Sequence, residues 1–297
     1  MPYWKSKHKL GTGTVGLDIG PSTISVVSID NKTVELHQFC TELEDRQKDI
    51  RRLQRKQDRQ RRANNPDNFD QKGRVKARSE RKAWKKSARQ KATQEKIAEL
   101  KRREAAYRKS LHGALVNHIL SLGNQINLEK LSYRSFQRMY GKSVGFRAPG
   151  MFVELLRRKA ASAAAEVNEF PTWSTRLSSI CHSCGTVEKK PLSVRWHDCE
   201  CGVVAQRDLY SAFLACCVEG DRLVAGQAVE AWPAMDALLR AAASEPKVAT
   251  GRRKPESFGG RGPRSQSHSS ANTECKQLRP EGETSRRGCL DKGTPYL

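Results

Sequence analysis

The sequence predicts an α/β fold carrying two insertions, and three observations lead there. Three short apolar runs separated by turns open the chain, and strand-like and helix-like segments alternate further along it. Between these parts lies a long stretch whose charge is almost all of one sign. Later, four cysteines stand in two tight pairs, which marks a second insertion of a different kind.

Val15 to Ile19 reads as a strand with Asp18 in it, and Gly20-Pro21 turns the chain. Ile24 to Ile29 reads as a second strand, Asp30-Asn31-Lys32 as a tight turn, and Thr33 to Phe39 as a third strand. The result is a three-strand meander whose first strand carries a carboxylate beside a glycine turn. Taken alone, Asp18 reads either as a group with chemistry to perform or as a turn-favouring aspartate.

From Arg46 to Lys109 there are 25 Lys and Arg against 8 Asp and Glu, an excess of 17. Leu43 to Arg62 has a helical pattern, with Ile50, Leu53 and Gln57 along one side, and Asn64-Asn65-Pro66-Asp67 breaks it. A second helical run goes from about Ser79 through Leu100 to His112, with Trp84 the one large aromatic in its first half. Helices with so few apolar residues are either solvated or bound to something anionic. The candidate contacts are Arg46, Arg51, Arg52, Arg55, Arg59, Arg61 and Arg62. Spread over several faces, they fit two nucleic-acid strands better than one flat patch.

His112 to Leu122 continues as an amphipathic helix that Gly123-Asn124 ends. Gln125 to Leu131 alternates as a short strand and delivers Glu129 at its end. Ser135 to Tyr140 starts a helix, Gly141 to Gly150 reads as a loop, and Met151 to Ala165 as a helix rich in Ala and Leu. Phe170-Pro-Thr-Trp173 leads to a short strand that enters the first cysteine pair. Beyond the cysteines, Asp208 to Val218 is an apolar helix and Gln227 to Ala243 one more. Ser244 to Leu297 turns to Gly, Pro, Ser, Arg and Lys and reads as a disordered tail, with Cys275 and Cys289 incidental in it.

The pairs are Cys181/Cys184 and Cys199/Cys201, with fourteen residues between them. Two paired knuckles at that separation suit a tetrahedral Zn²⁺ ion, and Gly185 and Gly202 stand where each knuckle must turn tightly. His182 and His197 stand by as substitute ligands. A closed structural site of this kind holds a local fold and performs no chemistry.

Composition narrows the partners. Among 297 residues, 55 Lys and Arg face 32 Asp and Glu, a net charge of +23, which argues for a polyanion. A basic membrane-surface protein is the alternative, but no apolar run approaches bilayer length. The nine cysteines are too unevenly placed for a disulfide framework, which fits a reducing cytosol. Asp18, Glu129 and Asp208 stand out by context, and brought together they would bind one or two Mg²⁺ ions for phosphodiester cleavage. Spacing leaves open whether they converge. Arg207, next to Asp208, reads either as a phosphate contact or as an ordinary surface arginine.

Several motifs together resemble one family. Val15-Gly-Leu-Asp18-Ile-Gly20-Pro, Asn127-Leu-Glu129-Lys-Leu131-Ser-Tyr133, Arg147-Ala-Pro-Gly-Met-Phe152, Cys181-His-Ser-Cys184-Gly185 and Gln206-Arg-Asp208-Leu-Tyr-Ser-Ala212 are similar to the TnpB (OrfB) family. These are transposon-encoded, RNA-guided nucleases related to type V CRISPR effectors. The resemblance runs from about Gly13 to about Ala243. It implies an RNase H-like (RuvC) domain with a mixed sheet, an inserted basic helical hairpin and a zinc ribbon. In that scheme residues 1–12 are a linker remnant, and 13–44, 113–178 and 205–243 are the three RuvC blocks. Residues 45–112 are the basic bridging helices, 179–204 the zinc ribbon, and 244–297 the tail. It further implies Asp18, Glu129 and Asp208 as metal-binding carboxylates, and Cys181, Cys184, Cys199 and Cys201 as zinc ligands. The partners would be guide RNA and target DNA, with no membrane and no small-molecule substrate, in the bacterial cytoplasm beside the nucleoid. The family carries a wedge domain and a recognition insert before its first RuvC block, and only about a dozen residues precede the strand here. The chain therefore resembles an N-terminally truncated copy. Two alternatives remain beside an RNA-guided, Mg-dependent DNA endonuclease: a non-cleaving nucleic-acid-binding protein associated with transposition, and a zinc-ribbon DNA-binding protein whose carboxylates are incidental.

Overall fold

The first strand decides where everything else sits. In β1 (Thr14–Ile19) the residues Val15, Leu17 and Ile19 are buried on one face, while Gly16 and Asp18 point to the other. β2 (Thr23–Ser28) pairs with β1 antiparallel, and β3 (Thr33–Gln38) pairs with β2 antiparallel, so the expected meander forms. These coordinates are a computed structural model that describes residues 9–191 and 193–244. The first eight residues and those from 245 onward, including most of the expected linker, nearly all of the expected tail, and Cys275 and Cys289, lie outside the described residues.

β4 (Gln125–Glu129) returns beside β1 and runs parallel to it, with Leu17 next to Leu128. β5 (Glu166–Phe170) then pairs parallel with β4. The sheet order is β3-β2-β1-β4-β5, mixed in direction. A fifth strand was not expected here; Glu-Val-Asn-Glu-Phe is partly exposed up to the buried Phe170, so its alternation is weak.

Two apolar layers cover the sheet. One face packs against α2 (Ala88–Leu122) and α4 (Pro149–Ala163), through Val116, Ile119, Phe152 and Leu156 among others. The other carries α6 (Arg207–Cys216) and α7 (Ala225–Ser244), through Tyr210, Phe213, Leu214, Met235 and Leu239. The α/β class expected from the sequence is therefore the one observed.

The basic insertion is a helical hairpin of α1 (Gln47–Asn64) and α2, and the two helices pack together. Helix α2 starts later than its composition suggests. Residues 81–87 form no regular secondary structure, and Ser87 caps the helix by accepting the Gln90 N–H. With few apolar side chains, the connection is held by buried asparagines. Asn65 accepts the Lys85 N–H at 2.6 Å and donates to the Lys85 carbonyl at 2.9 Å, and Asn68 does the same with Lys82 at 2.7 and 2.9 Å. Each side chain acts as a piece of strand backbone, satisfying groups that would otherwise be orphaned.

The segment expected as a loop from Gly141 to Gly150 is mostly helical. α3 (Tyr133–Arg147) runs through it, with a kink at Tyr140, where φ is −126° and ψ 34°. Its two internal glycines, Gly141 and Gly145, have open space around them and cost propensity without breaking the helix. Ala148, at φ 51°, joins α3 to α4.

Where a short strand was expected to enter the first cysteine pair, the chain forms a single helical turn, α5 (Thr172–Thr175), and the cysteine insertion that follows is built from two small hairpins. The first is closed by a bridge between Ile180 and Val187, and the second is β6 (Trp196–Asp198) with β7 (Val204–Gln206). A final small hairpin, β8 (Val218–Glu219) with β9 (Arg222–Leu223), joins α6 to α7. Among the described residues no helix is long and apolar enough to cross a membrane.

Candidate active site and metal centre

Three positions far apart in sequence come together at one end of the sheet, and local rules explain each. The parallel register sets Leu17 beside Leu128, so Asp18 and Glu129 are the next residues on neighbouring strands, both on the face away from Leu17. Gly16 supplies the third. A Cβ at Gly16 would lie 2.0 Å from the Ala212 carbonyl oxygen, so α6 lies directly on β1 with no side chain between them. Ala212 sits over Gly16, and Asp208 is one turn earlier on the same side of α6, which puts it at the level of Asp18. Asn127 fastens the other end of the helix by donating to the Ala215 and Val218 carbonyls, each at 2.9 Å. Gln206 caps its start, accepting the Leu209 N–H at 2.6 Å.

Asp18, Glu129 and Asp208 line one cleft of about 760 Å³. Burial, then the charge of Asp208, then that of Glu129, hold the Asp18 carboxyl well above the ordinary aspartate range. Burial alone pushes Glu129 up to about 7. Burial and mutual repulsion both disfavour the charged forms of these carboxyls. The three sets of oxygens do not all close to within the 4.8 Å that the four thiols described below reach. The cleft is also cationic: Lys142, Arg147, Lys189, Lys190, Arg195 and Arg207 line it. Arg195 and Arg207 stand 3.8 and 3.9 Å from an Asp208 oxygen, longer than hydrogen bonds. Arg207 is buried, so the reading of it as an ordinary surface arginine is wrong; its guanidinium donates to the Pro191 carbonyl at 3.2 Å.

Sequence reasoning missed Arg195, Lys189, Lys190 and the wall made by α3. Phe136, Met139 and Tyr140 of that wall line the cleft, and Met139 is 62% exposed. The only sequence signal for these residues is their nearness to the cysteine pairs or to a glycine-rich stretch.

The four cysteines form a close donor cluster. All four sulfurs lie within 4.8 Å of one another, with Cys181 and Cys201 at 3.5 Å and Cys184 and Cys199 at 3.4 Å. That is far longer than a disulfide and close to the roughly 3.8 Å edge of a tetrahedron with Zn–S bonds near 2.3 Å. The four therefore fit a metal such as zinc. Gly185 and Gly202 adopt φ of 73° and 93° with open space beside them, so the backbone twist requires glycine there. Their N–H groups close the knuckles onto the Cys181 and Cys199 carbonyls, both at 2.9 Å. The sulfurs receive N–H groups from neighbouring residues instead, including Ser183 and Cys184 for Cys181. A hydrogen bond with the Thr186 hydroxyl, then the Thr186 N–H, lower the Cys184 thiol, while burial raises that of Cys181.

His182 and His197 are not the substitute ligands they could have been. Both pack on Tyr210 of α6: the Tyr210 hydroxyl is 2.7 Å from His182 Nδ1 and accepts the His182 N–H, and the His197 ring stacks on it at 4.4 Å. Burial first, then Lys190, keep His197 neutral by lowering it to about 4. Tyr210 thus anchors the cysteine insertion to the helix that carries Asp208, two residues away.

On the hairpin, the candidate arginines divide. Arg51, Arg52, Arg55 and Arg59 are exposed and have no ion pair among the described residues. Arg46 pairs with Glu44 at 2.7 Å. Arg61 lies 4.0 Å over Trp84, and Arg62 lies 4.9 Å over Phe69 and pairs with Asp58. These two hold the hairpin itself. A groove of about 440 Å³ runs beside them, lined by Gln54, Arg61, Lys85 and Lys86 among others.

Residues 150–214 match the family model described as Cas12f1-like, TNB domain. The match takes in all four cysteines and Asp208, and leaves out Asp18 and Glu129. It supports a protein related to TnpB and Cas12. A comparison with curated proteins finds no match to this chain.

Proposed function

We propose that this chain is an RNA-guided, Mg-dependent DNA endonuclease of the TnpB type. It would hydrolyse phosphodiesters at a RuvC three-carboxylate site made by Asp18, Glu129 and Asp208. The observation that carries this reading is the convergence of residues 18, 129 and 208 on one face, at one end of a mixed sheet, inside a cleft ringed by cations. The two cysteine hairpins with their four close thiols support a zinc-ribbon reading, and the similarity of residues 150–214 to a Cas12f1-like domain points the same way.

Asp18, Glu129 and Asp208 would hold the Mg²⁺, which when bound activates a water and stabilises the leaving oxygen. Arg195 and Arg207 sit where a scissile phosphate would approach and offset its charge against that of Asp208. Lys189 extends the positive rim and draws the backbone in, while the Lys190 side chain is buried and donates to the Asp198 carbonyl at 3.1 Å. Exposed arginines on α1 serve the guide RNA and its duplex with target DNA, contacts that carry little sequence information. Tyr210 keeps the cysteine insertion and Asp208 in fixed relation, so a structural zinc would support the site without taking part in chemistry.

The test is cleavage of single- and double-stranded DNA by purified chain with Mg²⁺, with and without RNA copurified from the host. Wild type should cut, and Asp18→Ala, Glu129→Ala and Asp208→Ala should each lose roughly 100-fold or more while keeping nucleic-acid binding. Salt-sensitive binding by the wild type with no cleavage under any condition would overturn the catalytic part and leave a nucleic-acid-binding protein.

A further inference from the structure

We propose a second metal site, separate from the cysteines and from the carboxylate cleft, formed by Glu35, His37 and His118. Glu35 and His37 are two apart on β3, so both point to the same face of the sheet. The ladder pairs Glu35 with Val26 and His37 with Ile24, so this is the face packed by α2, opposite to Asp18. His118 comes down from α2 to meet them. The Nε2 atoms of His37 and His118 lie 2.5 and 2.8 Å from the same oxygen, Oε2 of Glu35. The three donor atoms all lie within 4.8 Å of one another.

Two imidazole nitrogens and one carboxylate oxygen that converge on one point are a donor set for a borderline divalent transition metal, such as Zn²⁺, Co²⁺ or Ni²⁺. Hard ions such as Mg²⁺ prefer oxygen and would not compete well there. The geometry is held by rigid elements: two strand positions in fixed register and one helical position, with the two rings edge to face at 5.9 Å. The side chains are 21–40% exposed, so an ion can enter and water can complete its coordination. In the absence of metal, the two hydrogen bonds to Glu35 keep the donors assembled; an ion must displace the Nε2 protons and open these contacts to about 3 Å, so binding strengthens as pH rises. Bound there, the ion would tie the edge strand of the sheet to the long helix whose other end forms the basic hairpin.

This inference does not depend on the nuclease reading. The untagged full chain, with its cysteine site zinc-loaded, is titrated with Co²⁺ in excess Mg²⁺ at mildly alkaline pH. Visible absorption and metal content after desalting are measured. One further equivalent of Co²⁺ should bind, with d–d bands and no thiolate charge-transfer band. His37→Gln, His118→Gln and Glu35→Gln should each weaken that equivalent by at least about tenfold. In the same variants, Co²⁺ placed in the cysteine site should still give thiolate bands, which reports an intact fold. No further equivalent in the wild type, or an equivalent that all three variants retain, overturns the site.

Discussion

Replacing Glu129 by Gln should stabilise this protein in the absence of divalent cation while removing its proposed activity. Burial raises the Glu129 carboxyl from 4.5 to about 7. The folded chain therefore holds a proton there that the unfolded chain releases, across the interval between those values. Since the native state binds more protons in that window, stability falls as pH rises through it. That interval corresponds to roughly 3 kcal/mol once the pH is above 7, and to almost nothing below 4.5. Gln keeps the shape and has no proton to lose. It also relieves Asp18, whose carboxyl is raised in part by the charge of Glu129, so the true gain can exceed the figure from Glu129 alone. Urea unfolding at pH 5 and pH 8, in chelator-treated buffer containing only tightly held metal, reads the difference. Glu129→Gln should gain on wild type by roughly 2 kcal/mol between the two conditions, and added Mg²⁺ should close most of the gap by stabilising wild type. Any loss of zinc at low pH affects both chains equally and cancels. Parallel pH dependences for the two proteins would refute the argument that this carboxylate is held against its preference.

The cysteine insertion should lose its fold when metal is stripped. A strong chelator should speed amide exchange over residues 180–206 and lower the apparent Tm by about 5 °C or more, because metal binding there is folding free energy. Unchanged exchange would rule out the metal. The loosening should spread to the start of α6, since Tyr210 joins the two. Trp84→Ala removes the ring that Arg61 covers and that meets Phe69 edge to face at 5.8 Å. It should cost about 1–2 kcal/mol, confined to the hairpin. Faster exchange over residues 65–90 with a nearly constant global Tm, and weaker RNA binding, are the expected results; full protection in the variant would show that the asparagine contacts suffice.

Much of this architecture was legible in the chain because it is governed by local rules. The alternation in Val15–Ile19, the turns at Gly20 and Asn31, the paired cysteines and the one-signed helices each state their own structure within a few residues. The α/β class, the meander and the candidate ligands followed from them. The boundaries that were missed had competing signals. Ser79 to Lys86 has helical composition, yet the Asn65 and Asn68 side chains take up the backbone groups of Lys82 and Lys85 and hold them out of the helix. The glycines in α3 suggested a loop that packing overrode. The partly exposed β5 left too little alternation to read.

The tertiary structure decided which of these residues meet. Gly16 reads in sequence as one more small residue in a strand; only the folded chain reveals it as the gap that lets α6 down to the level of Asp18. Arg195, the anchoring role of Tyr210, and the meeting of Glu35 and His37 with His118 depend on contacts across tens of residues. The physical reason is range. Hydrogen bonding within an element, and the periodicity that goes with it, act over a few residues and leave a mark in the sequence. The pairing of charged and coordinating groups acts through space, and its partners are settled by how the sheet and helices pack.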